Sequence, residues 1–479
     1  MQTIPKILLI NPGRYLYAYP SLALAYLAAY LQRYSHFTPL IRIADENAKE
    51  DVEEAIKKFK PQIIGISATT PQVIRAHKIA RFCKSFNPHS ICIVGGVHIS
   101  ILPRRTLKEF PAFDLGIYGE GEKTFQELAD HLIFHHYHLD HIDFAQIQGV
   151  VYRQEEKILL SPRRELITNL DEIPLPARRL YNLKYYRKPR QAIRGVTRRA
   201  IQMMSSRGCP YNCRFCSSHI LWQRRVRFHS PERFIQEVED LIHLGFNGFY
   251  LHDDTFIANK ERVRKICTML LKKQYHRKMI WAAQLRPNLI QNQKDVELLK
   301  LMKAAGCIQV EYGFESGSER VLSFLKKESA TVVQNQKAID LTKKAGLRIF
   351  GNFMLGTPGE TKKELLETKA FVLRNKNKLD YYQTYVTTPY PGTEVWNICR
   401  KENLLKDATW EKFGMGILDD FVFSHTIDKN FIHQNIQELN HIALKKIPLG
   451  EKLKWLGVRL TDDPHYVSKM LKNYFHIKS

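Results

Sequence analysis

Three cysteines lie within one nine-residue loop, GCPYNCRFC, at residues 208–216. The spacing C-x3-C-x2-C places Cys209, Cys213 and Cys216 on one tight turn, from which three thiolates can approach a metal group from one side. Structural zinc takes four protein ligands, so zinc here needs a fourth ligand, and His219 is the nearest candidate. Iron–sulfur clusters take about one thiolate per iron, so three cysteines on a four-iron cluster leave one iron open for a substrate or cofactor. The loop therefore predicts a 4Fe-4S cluster, with zinc as the alternative.

The composition of the whole chain is that of a globular protein. The chain has 479 residues, of which 44% are hydrophobic and 25% charged, and this length indicates about two to four domains. The other cysteines are scattered through apolar segments, which does not indicate a disulfide framework. No apolar run approaches the ~18 residues of a membrane span. The N-terminus, MQTIPKILLINPG, shows no signal-peptide features, so we expect a cytoplasmic protein.

The net charge of +25 has two interpretations. It can indicate a nucleic-acid or membrane-surface partner. It can also reflect lysine-coated amphipathic helices such as VRKICTMLLKKQYHRK, and we favour this second interpretation. A denser basic block, YRKPRQAIRGVTRR at 186–199, lies just before the cysteine loop and is suited to an anionic substrate.

Residues 1–140 alternate strand and helix signals with short connections. The predicted strands are KILLI, LIRIAD, IIGIS, ICIVGG and DLGIYG, and this rhythm predicts an α/β domain with a doubly wound parallel sheet. Ligands of such sheets bind beyond the carboxyl ends of the strands. A GxGxxG motif does not follow the first strand, which argues against an ordinary dinucleotide site.

Three further regions follow the first domain. Residues 141–197 contain a predicted β-hairpin and a proline-punctuated linker, LDEIPLPARRLYNL. Residues 198–400 contain six strand–helix units, which predict a partial TIM-like barrel whose active site lies at the carboxyl ends of its strands. The cysteine loop follows the first of these strands. Residues 401–479 are predicted to form a helical, basic C-terminal tail.

The cysteine loop within this barrel, with Phe215 before the last cysteine, resembles the radical S-adenosylmethionine (SAM) enzymes. The resemblance implies that the open iron chelates the amino and carboxylate groups of SAM. It also implies that an external one-electron reductant of the flavodoxin or ferredoxin type drives cleavage of SAM to a 5'-deoxyadenosyl radical.

The ends of the other barrel strands match SAM-binding positions of this family piecewise. The resemblance implies the following contacts: Phe215 beside SAM, Asp253 and Asp254 on the methionine ammonium, Arg286 on a carboxylate, Glu315 and Ser316 on the ribose hydroxyls, and Phe353 or Leu355 against the adenine. The alternative for the charged residues is helix capping or solvated charge at the barrel rim.

The first domain resembles the cobalamin-binding domain that precedes the barrel in one branch of radical SAM enzymes. The serine and the paired glycines of that domain have counterparts here, but its Asp-x-His-x-x-Gly motif is absent, and the loop NPGRYLYAYP has no histidine to serve as lower axial ligand. The resemblance implies cobalamin contacts at Ser67, Thr69, Gly95, Gly96, Gly119 and Glu120. The alternative is a domain that binds no corrin.

Three functional hypotheses follow from this resemblance. In the favoured one, methylcobalamin methylates an unactivated carbon of a small or hydrophobic metabolite after a SAM-derived radical removes a hydrogen. In the second, the same cofactors support a cyclisation or oxidation. In the third, the protein is an RNA-modifying methylthiotransferase, but the first domain offers only Cys83 and Cys92 for a second cluster, and no RNA-binding β-barrel follows residue 400. A nucleic-acid partner is therefore disfavoured.

The segment HIALKKIPLGEKLKWLGVRL, at 441–460, interleaves apolar and basic residues. We favour core packing of its apolar side chains. The alternative is peripheral contact with an anionic membrane, with the apolar side chains facing the lipid.

Anaerobically purified protein is expected to contain about four iron and four sulfide per chain, because the loop indicates this cluster type. Replacing Cys209, Cys213 or Cys216 by serine should abolish SAM cleavage, measured as 5'-deoxyadenosine formation. Stoichiometric zinc without iron, under strict anaerobiosis, would contradict the cluster.

Overall fold

The computed structural model describes residues 4–13, 19–406, 408–414 and 422–462, apart from the side chains of residues 455 and 458–462. Seven strands form the first sheet. They are β1 (Lys6–Asn11), β2 (Leu40–Asp45), β3 (Ile63–Ser67), β4 (Ile91–Gly95), β5 (Leu115–Ile117), β6 (Val150–Gln154) and β7 (Lys157–Leu160). The strand order is β2-β1-β3-β4-β5-β6-β7, and the first five strands are parallel.

Six helices accompany this sheet. They are α1 (Leu22–Tyr34), α2 (Val52–Phe59), α3 (Val73–Phe86), α4 (Val97–Ile101), α5 (Pro103–Glu109) and α6 (Glu122–Phe134). Alternate strand residues pack on opposite sides: Ile7 and Leu9 face α1 and α6, whereas Leu8 and Ile10 face α2 and α3. Both faces are therefore apolar, as the continuous hydrophobic strands predict. The doubly wound parallel sheet is confirmed.

The predicted hairpin belongs to this first sheet. Strand β6 pairs antiparallel with β5, and β7 pairs with β6. The hydroxyl of Tyr118 donates a hydrogen bond to the Ser161 carbonyl at 2.6 Å, which fastens the end of the hairpin to the strand beside it. The short helix α4 was not predicted, because five residues are too few to show a helical period.

The second region contains ten strands and nine helices. The strands are β8 (Arg190–Ile193), β9 (Val196–Arg198), β10 (Ala200–Met203), β11 (Ser206–Arg207), β12 (Arg227–Phe228), β13 (Gly248–Leu251), β14 (Ile280–Leu285), β15 (Cys307–Glu315), β16 (Arg348–Leu355) and β17 (Tyr381–Val386). The helices are α7 (Leu183–Tyr186), α8 (Ser218–Trp222), α9 (Pro231–His243), α10 (Lys260–Lys272), α11 (Gln293–Ala304), α12 (Glu319–Lys326), α13 (Val332–Lys344), α14 (Lys362–Asn375) and α15 (Glu394–Lys401).

Six of these strands form one parallel sheet in the order β10-β13-β14-β15-β16-β17, which is the predicted partial barrel. Its outer face packs on the helices through large apolar side chains such as Trp281 and Tyr312. Its inner face carries polar side chains such as Gln284 and Glu311, which lie opposite each other on β14 and β15. Successive strand residues point to opposite faces, so this alternation decides which side chains face the barrel interior.

The proline-punctuated linker packs tightly between the two sheets. Arg178 is only 2% exposed, and its Nη2 donates to the Gln202 carbonyl at 2.9 Å and to Glu237 Oε1 at 2.5 Å. Just beyond the linker, the hydroxyl of Tyr186 donates to Asp45 Oδ2 at 2.5 Å. The connection therefore binds both the barrel and the first sheet.

Among the described residues after the barrel are two helices, α16 (Lys429–Lys445) and α17 (Leu449–Asp462). On α16, the Asn440 side chain bonds to both the N–H and the carbonyl of Thr384, at 2.8 and 2.9 Å, which satisfies the edge strand β17. On α17, Glu451 Oε2 accepts a hydrogen bond from the Thr197 N–H at 2.7 Å, so this helix packs on β9.

The apolar face of α17 is only partly covered, since Leu449 and Leu453 are 70% and 59% exposed. Membrane contact by this segment stays a prediction, and the side chain of Trp455 and residues 463–479 lie outside the described residues. Within the described residues, the helices are all too short or too polar to cross a membrane.

Candidate active site

The cysteine loop leaves β11 and enters α8 at the carboxyl end of the barrel sheet. Gly208 opens the loop with φ +96°, and a Cβ there would lie 2.0 Å from the Arg225 carbonyl oxygen. Only glycine fits this close approach of two backbone segments. Cys213 is buried, whereas Cys209 and Cys216 are partly exposed. The loop thus presents its thiols at the rim of the barrel.

Each thiol has a polar neighbour, and two of these neighbours donate to sulfur, since the Thr255 hydroxyl donates to the Asp254 carbonyl at 2.6 Å. The contacts are Arg286 Nη1 with Cys213 Sγ at 3.4 Å, Thr255 Oγ1 with Cys209 Sγ at 3.8 Å, and the Ser218 N–H with Cys216 Sγ at 3.4 Å. Such donors stabilise thiolates and tune a metal centre bound to them. The donor set, three thiols with N–H and O–H groups around them, fits an iron–sulfur cluster.

Arg286 ties the end of β14 to this loop. Its guanidinium lies 3.5 Å from the ring centroid of Tyr211 and donates to Ser329 Oγ at 3.0 Å. Asn288 accepts from Arg286 Nε at 3.2 Å and donates to the Tyr211 hydroxyl at 2.9 Å. A fixed positive charge therefore lies beside Cys213.

Burial disfavours thiolates in the free loop. It raises the pKa of Cys216 to about 12 and also raises the pKa of Cys209. Binding of a metal group would therefore displace protons from these thiols. Among the residues the structure describes, no three His, Cys, Asp or Glu side chains are grouped so as to hold a single metal ion.

A cavity of about 210 Å³ lies between the first sheet and the cysteine region. It is bounded by the carboxyl ends of β3, β4 and β5, by α1, and by Met204, Arg207 and Trp222 from the barrel side. A larger cavity of about 610 Å³ lies between α1, the linker and α9. Neither cavity is lined by a loop cysteine, but the smaller one lies at the strand ends of the first sheet and is lined by Arg207, two residues before Cys209.

Glycines open this cavity at the strand ends. A Cβ at Gly95 or Gly119 would meet no atom within 4 Å, so both positions border free space. At Gly96, with φ +96°, a Cβ would lie 2.7 Å from the Ala68 carbonyl oxygen. The open space beside an apolar floor of Ile66 and Ile93 fits a flat organic group of the kind found in the corrin's nucleotide tail.

Buried ion pairs connect this cavity to the cysteine loop. Arg207, which is two residues before Cys209, donates to Glu120 Oε1 at 2.7 Å and to Glu122 Oε1 at 2.6 Å. Arg227 Nη1 donates to Glu120 Oε2 at 2.8 Å. Burial alone would raise the pKa of Glu120, but the two guanidinium groups hold this pKa below its usual value.

Comparison with known families assigns both domains. Residues 203–372 match the radical SAM superfamily, and residues 11–129 match the B12 binding domain. An uncharacterized methyltransferase of Pyrococcus horikoshii is 36% identical over 395 residues, which cover 82% of this chain and 81% of the relative. The chain belongs to the cobalamin-binding radical SAM enzymes.

Two further proteins place this radical SAM enzyme among its relatives. The anaerobic magnesium-protoporphyrin IX monomethyl ester cyclase of Rubrivivax gelatinosus is 28% identical over 382 residues, covering 79% of this chain and 66% of the cyclase. The structure of the cobalamin-dependent S-adenosylmethionine radical enzyme OxsB, with aqua-cobalamin and S-adenosylmethionine bound, superimposes with a TM-score of 0.73 at 18% identity. That match covers 99% of this chain and 75% of OxsB, and it shows the shared fold.

The two matched domains give this radical SAM enzyme its cofactors, which are a 4Fe-4S cluster, SAM and cobalamin. The three loop cysteines are the residues that would hold the cluster. The open strand ends at Gly95 and Gly119 would receive cobalamin. SAM contacts at individual residues stay predictions. In the structure, the predicted residues lie in environments that differ from one another.

The two predicted aspartates of this enzyme occupy different environments. Asp254 is exposed beside the loop and accepts from Ser218 Oγ at 2.9 Å, so it remains open to a ligand. Asp253 is fully buried and accepts from the Ser205 N–H and hydroxyl, each at 2.6 Å, and from Ser206 Oγ at 2.7 Å. Asp253 holds the turn between β10 and β11, and its contact with the SAM ammonium stays a prediction.

The residues predicted to contact ribose are also engaged by the protein. Glu315 accepts from Lys326 Nζ at 2.7 Å, and both side chains are buried. Ser316 is fully buried, and its hydroxyl lies 2.8 Å from Thr368 Oγ1 on α14. The hydroxyl of Ser316 is thus turned toward the helix, away from the barrel interior. Phe215 is partly buried beside Lys326, at 5.5 Å from Nζ to the ring centroid.

Phe353 and Leu355, the two residues predicted to contact adenine, point to the outer face of β16. Phe353 and Leu355 are fully buried on the outer face, where the Phe353 ring lies 5.6 Å from that of Phe314. The interior positions of β16 are Asn352 and Met354, since successive residues of a strand alternate. A one-residue shift moves a strand's whole set of side chains to the other face.

All but one of the residues predicted to contact cobalamin line the cavity, and these are Ser67, Gly95, Gly96, Gly119 and Glu120. Thr69 is engaged with Gln72, to which its hydroxyl donates at 2.7 Å, and Glu120 is committed to the two arginines described above. Arg207 and Arg227 were not predicted from the sequence, and Glu122 was placed at a strand end without a partner. Charged residues next to the cysteine loop were the available signal, but their partners lie far away in the chain.

Replacing Gly95 by valine is expected to lower retained cobalamin by about 10- to 100-fold, since overpacking a filled site costs about 1–3 kcal/mol. The protein without its corrin should remain folded, because the valine side chain enters free space. Gly450→Val, on α17, also meets no atom within 4 Å and is the matched control. The absorbance of bound cobalamin measures the result, and wild-type corrin content in Gly95→Val would contradict the assignment.

Proposed function

We propose that this enzyme transfers a methyl group to an unactivated carbon of a small-molecule substrate. One observation carries the proposal: the cavity at the corrin-domain strand ends is closed on its other side by Met204, Arg207 and Trp222, which flank the cysteine loop. A corrin held at these strand ends would therefore lie against the barrel rim where SAM reacts.

When bound, the cluster and SAM supply a carbon radical that removes a hydrogen from the substrate, and the corrin supplies the methyl group. The chain's own residues position the reactants. Arg286 places a positive charge beside Cys213, and Asp254 presents an open carboxylate next to Cys216 through Ser218. Such charge-assisted contacts suit the carboxylate and ammonium of a methionine group.

Cyclisation or oxidation with the same cofactors is the second candidate function. The 28% identity to an anaerobic cyclase favours it, whereas the 36% identity to a methyltransferase favours methyl transfer. Methylthiolation of RNA has less support. It would need a second cluster in the first domain, but Cys83 and Cys92 are fully buried there. An external one-electron reductant is the partner that the proposed chemistry requires.

Methyl transfer predicts a specific product ratio. The reaction uses one SAM for the radical and a second SAM to remethylate cobalt, so 5'-deoxyadenosine and S-adenosylhomocysteine should form in equal amounts. The measurement is product quantification with methyl-labelled SAM, reductant and substrate, with cobalamin-free enzyme as the control. Formation of 5'-deoxyadenosine by cobalamin-loaded enzyme, without S-adenosylhomocysteine or labelled product, would contradict methyl transfer and favour the cyclase.

A further inference from the structure

The hairpin formed by β8 and β9 enters the barrel and carries an arginine at its tip. Ala192, Ile193 and Val196 pack on the inner face of the barrel sheet, against Tyr250 and Ala282 among others. Arg194 lies in the turn between the two strands. The anchored hairpin thus fixes where the Arg194 backbone lies within the barrel.

The guanidinium of Arg194 is surrounded by polar groups of the interior. Burial opposes its charge, but Tyr385, Glu311, Tyr19 and Tyr250 together raise the pKa of Arg194. The charge of Arg194 also reaches a histidine, since burial and then this nearby charge lower the pKa of His252 to about 4. Its Cζ also lies 5.8 Å from the ring centroid of Phe350 on β16. The guanidinium of Arg194 therefore lies inside the barrel, near side chains of β13, β15, β16 and β17.

Within the described residues, the donors of this guanidinium have no protein acceptor. In the part of the chain that the structure describes, Arg194 makes no hydrogen bond within 3.5 Å and no ion pair within 4.0 Å. Arg194 keeps accessible surface, although protein atoms surround its guanidinium and the neighbouring Tyr250 and Glu311 are buried. A side chain that is accessible among buried neighbours borders an internal space. Five N–H donors in such a space need water or a ligand as partner.

The nearby acid is committed elsewhere. Glu311 Oε2 accepts from the Tyr250 hydroxyl at 2.7 Å, and Glu311 Oε1 accepts from Asn352 Nδ2 at 2.8 Å. Gln284 Nε2 donates to the same tyrosine at 2.8 Å. These bonds connect four neighbouring strands and hold the carboxylate away from Arg194. The network thus leaves one positive charge without a direct counter-ion.

This polar layer lies directly below the cysteine loop. Gln284 lies on β14, and Arg286 directly follows this strand in an extended conformation, so the two side chains point to the same face with a separation of about 7 Å along the chain. Arg286 in turn contacts Cys213. A molecule above Arg194 would therefore lie between the polar layer and the loop where the radical forms.

We propose that Arg194 binds a carboxylate or phosphate group of the substrate, and this inference rests on the proposed function. Arginine pairs with both anions through two parallel hydrogen bonds. Binding at Arg194 would hold the acidic end of the substrate deep in the barrel and leave the other end toward the cysteine loop. The substrate class is thus a small organic acid or phosphoester.

The test uses the cofactor-loaded protein with SAM present, and inorganic phosphate and acetate as separate probes. Either anion should raise the thermal midpoint of the wild type, and the probe with the larger shift identifies the anion class. Arg194→Gln should weaken that binding by about 10- to 100-fold, the range expected for hydrogen bonds to a charged group. Arg198→Gln is the matched control, since Arg198 lies on the same hairpin but faces Glu451 at 3.8 Å. It should behave as wild type.

A second measurement needs no variant. Phenylglyoxal modifies accessible arginines, and peptide mass mapping follows each site. Phosphate or acetate should slow modification of Arg194 but not of Arg198. If Arg194→Gln loses its cofactors, the test uses Arg194→Lys instead. This variant should also bind the anion more weakly than wild type, because lysine lacks the planar pair of donors of arginine.

Two results would overturn the inference. One is unchanged anion binding in Arg194→Gln together with unprotected Arg194 in wild type. The other is protection of Arg194 by SAM alone, which would assign this guanidinium to SAM. Wild-type protein that shows anion binding at Arg194 but retains neither corrin nor cluster would overturn the proposed function instead.

Discussion

The arrangement of the two domains depends on one buried cation, the guanidinium of Arg207. It is 5% exposed and bonds to Glu120 and Glu122 of the first domain, while its own backbone leads into the cysteine loop. A buried ion pair is costly to desolvate, and loss of one partner typically costs about 3–5 kcal/mol. The two carboxylates therefore allow one placement of the loop against the first sheet and penalise others.

The same cation shapes the cavity in which the corrin would bind. The Arg207 guanidinium lies 5.3 Å from the ring centroid of Tyr26 on α1 and 5.8 Å from that of Trp222 on α8. Arg207 and Trp222 both line the cavity, and Arg227 pairs with Glu120 from the other side. Charged and aromatic groups from both domains thus form a continuous wall. This wall brings the strand ends of the first sheet next to the cysteine loop, which is the arrangement that the proposed function requires.

Much of the fold was predictable because it depends on local pattern. Buried apolar runs located the five parallel strands of the first sheet and the six strands of the barrel. The cysteine spacing located the loop, and the glycine pair located the open strand end. Each of these features is visible within about ten residues of sequence, so a single sequence suffices to find it.

Several predicted site residues are already paired or packed within the protein, and the reason differs. Asp253 and Ser316 lie at predicted strand ends, but Ser205 and Thr368, distant in sequence, already occupy their polar atoms. Phe353 was assigned to the wrong face because the phase of β16 depends on how it packs against the helices. Sequence pattern locates a strand end but does not show whether a side chain there is already paired.

If Arg207 fixes the cysteine loop against the strand ends of the first sheet, the corrin and the cluster share one site. Pulsed EPR of wild-type protein loaded with both cofactors, with cobalt(II) and the reduced cluster present together, tests this claim directly. The account predicts magnetic coupling between the two centres, and weaker coupling in Arg207→Met that still retains both. Two uncoupled spectra in fully loaded wild-type protein would contradict it.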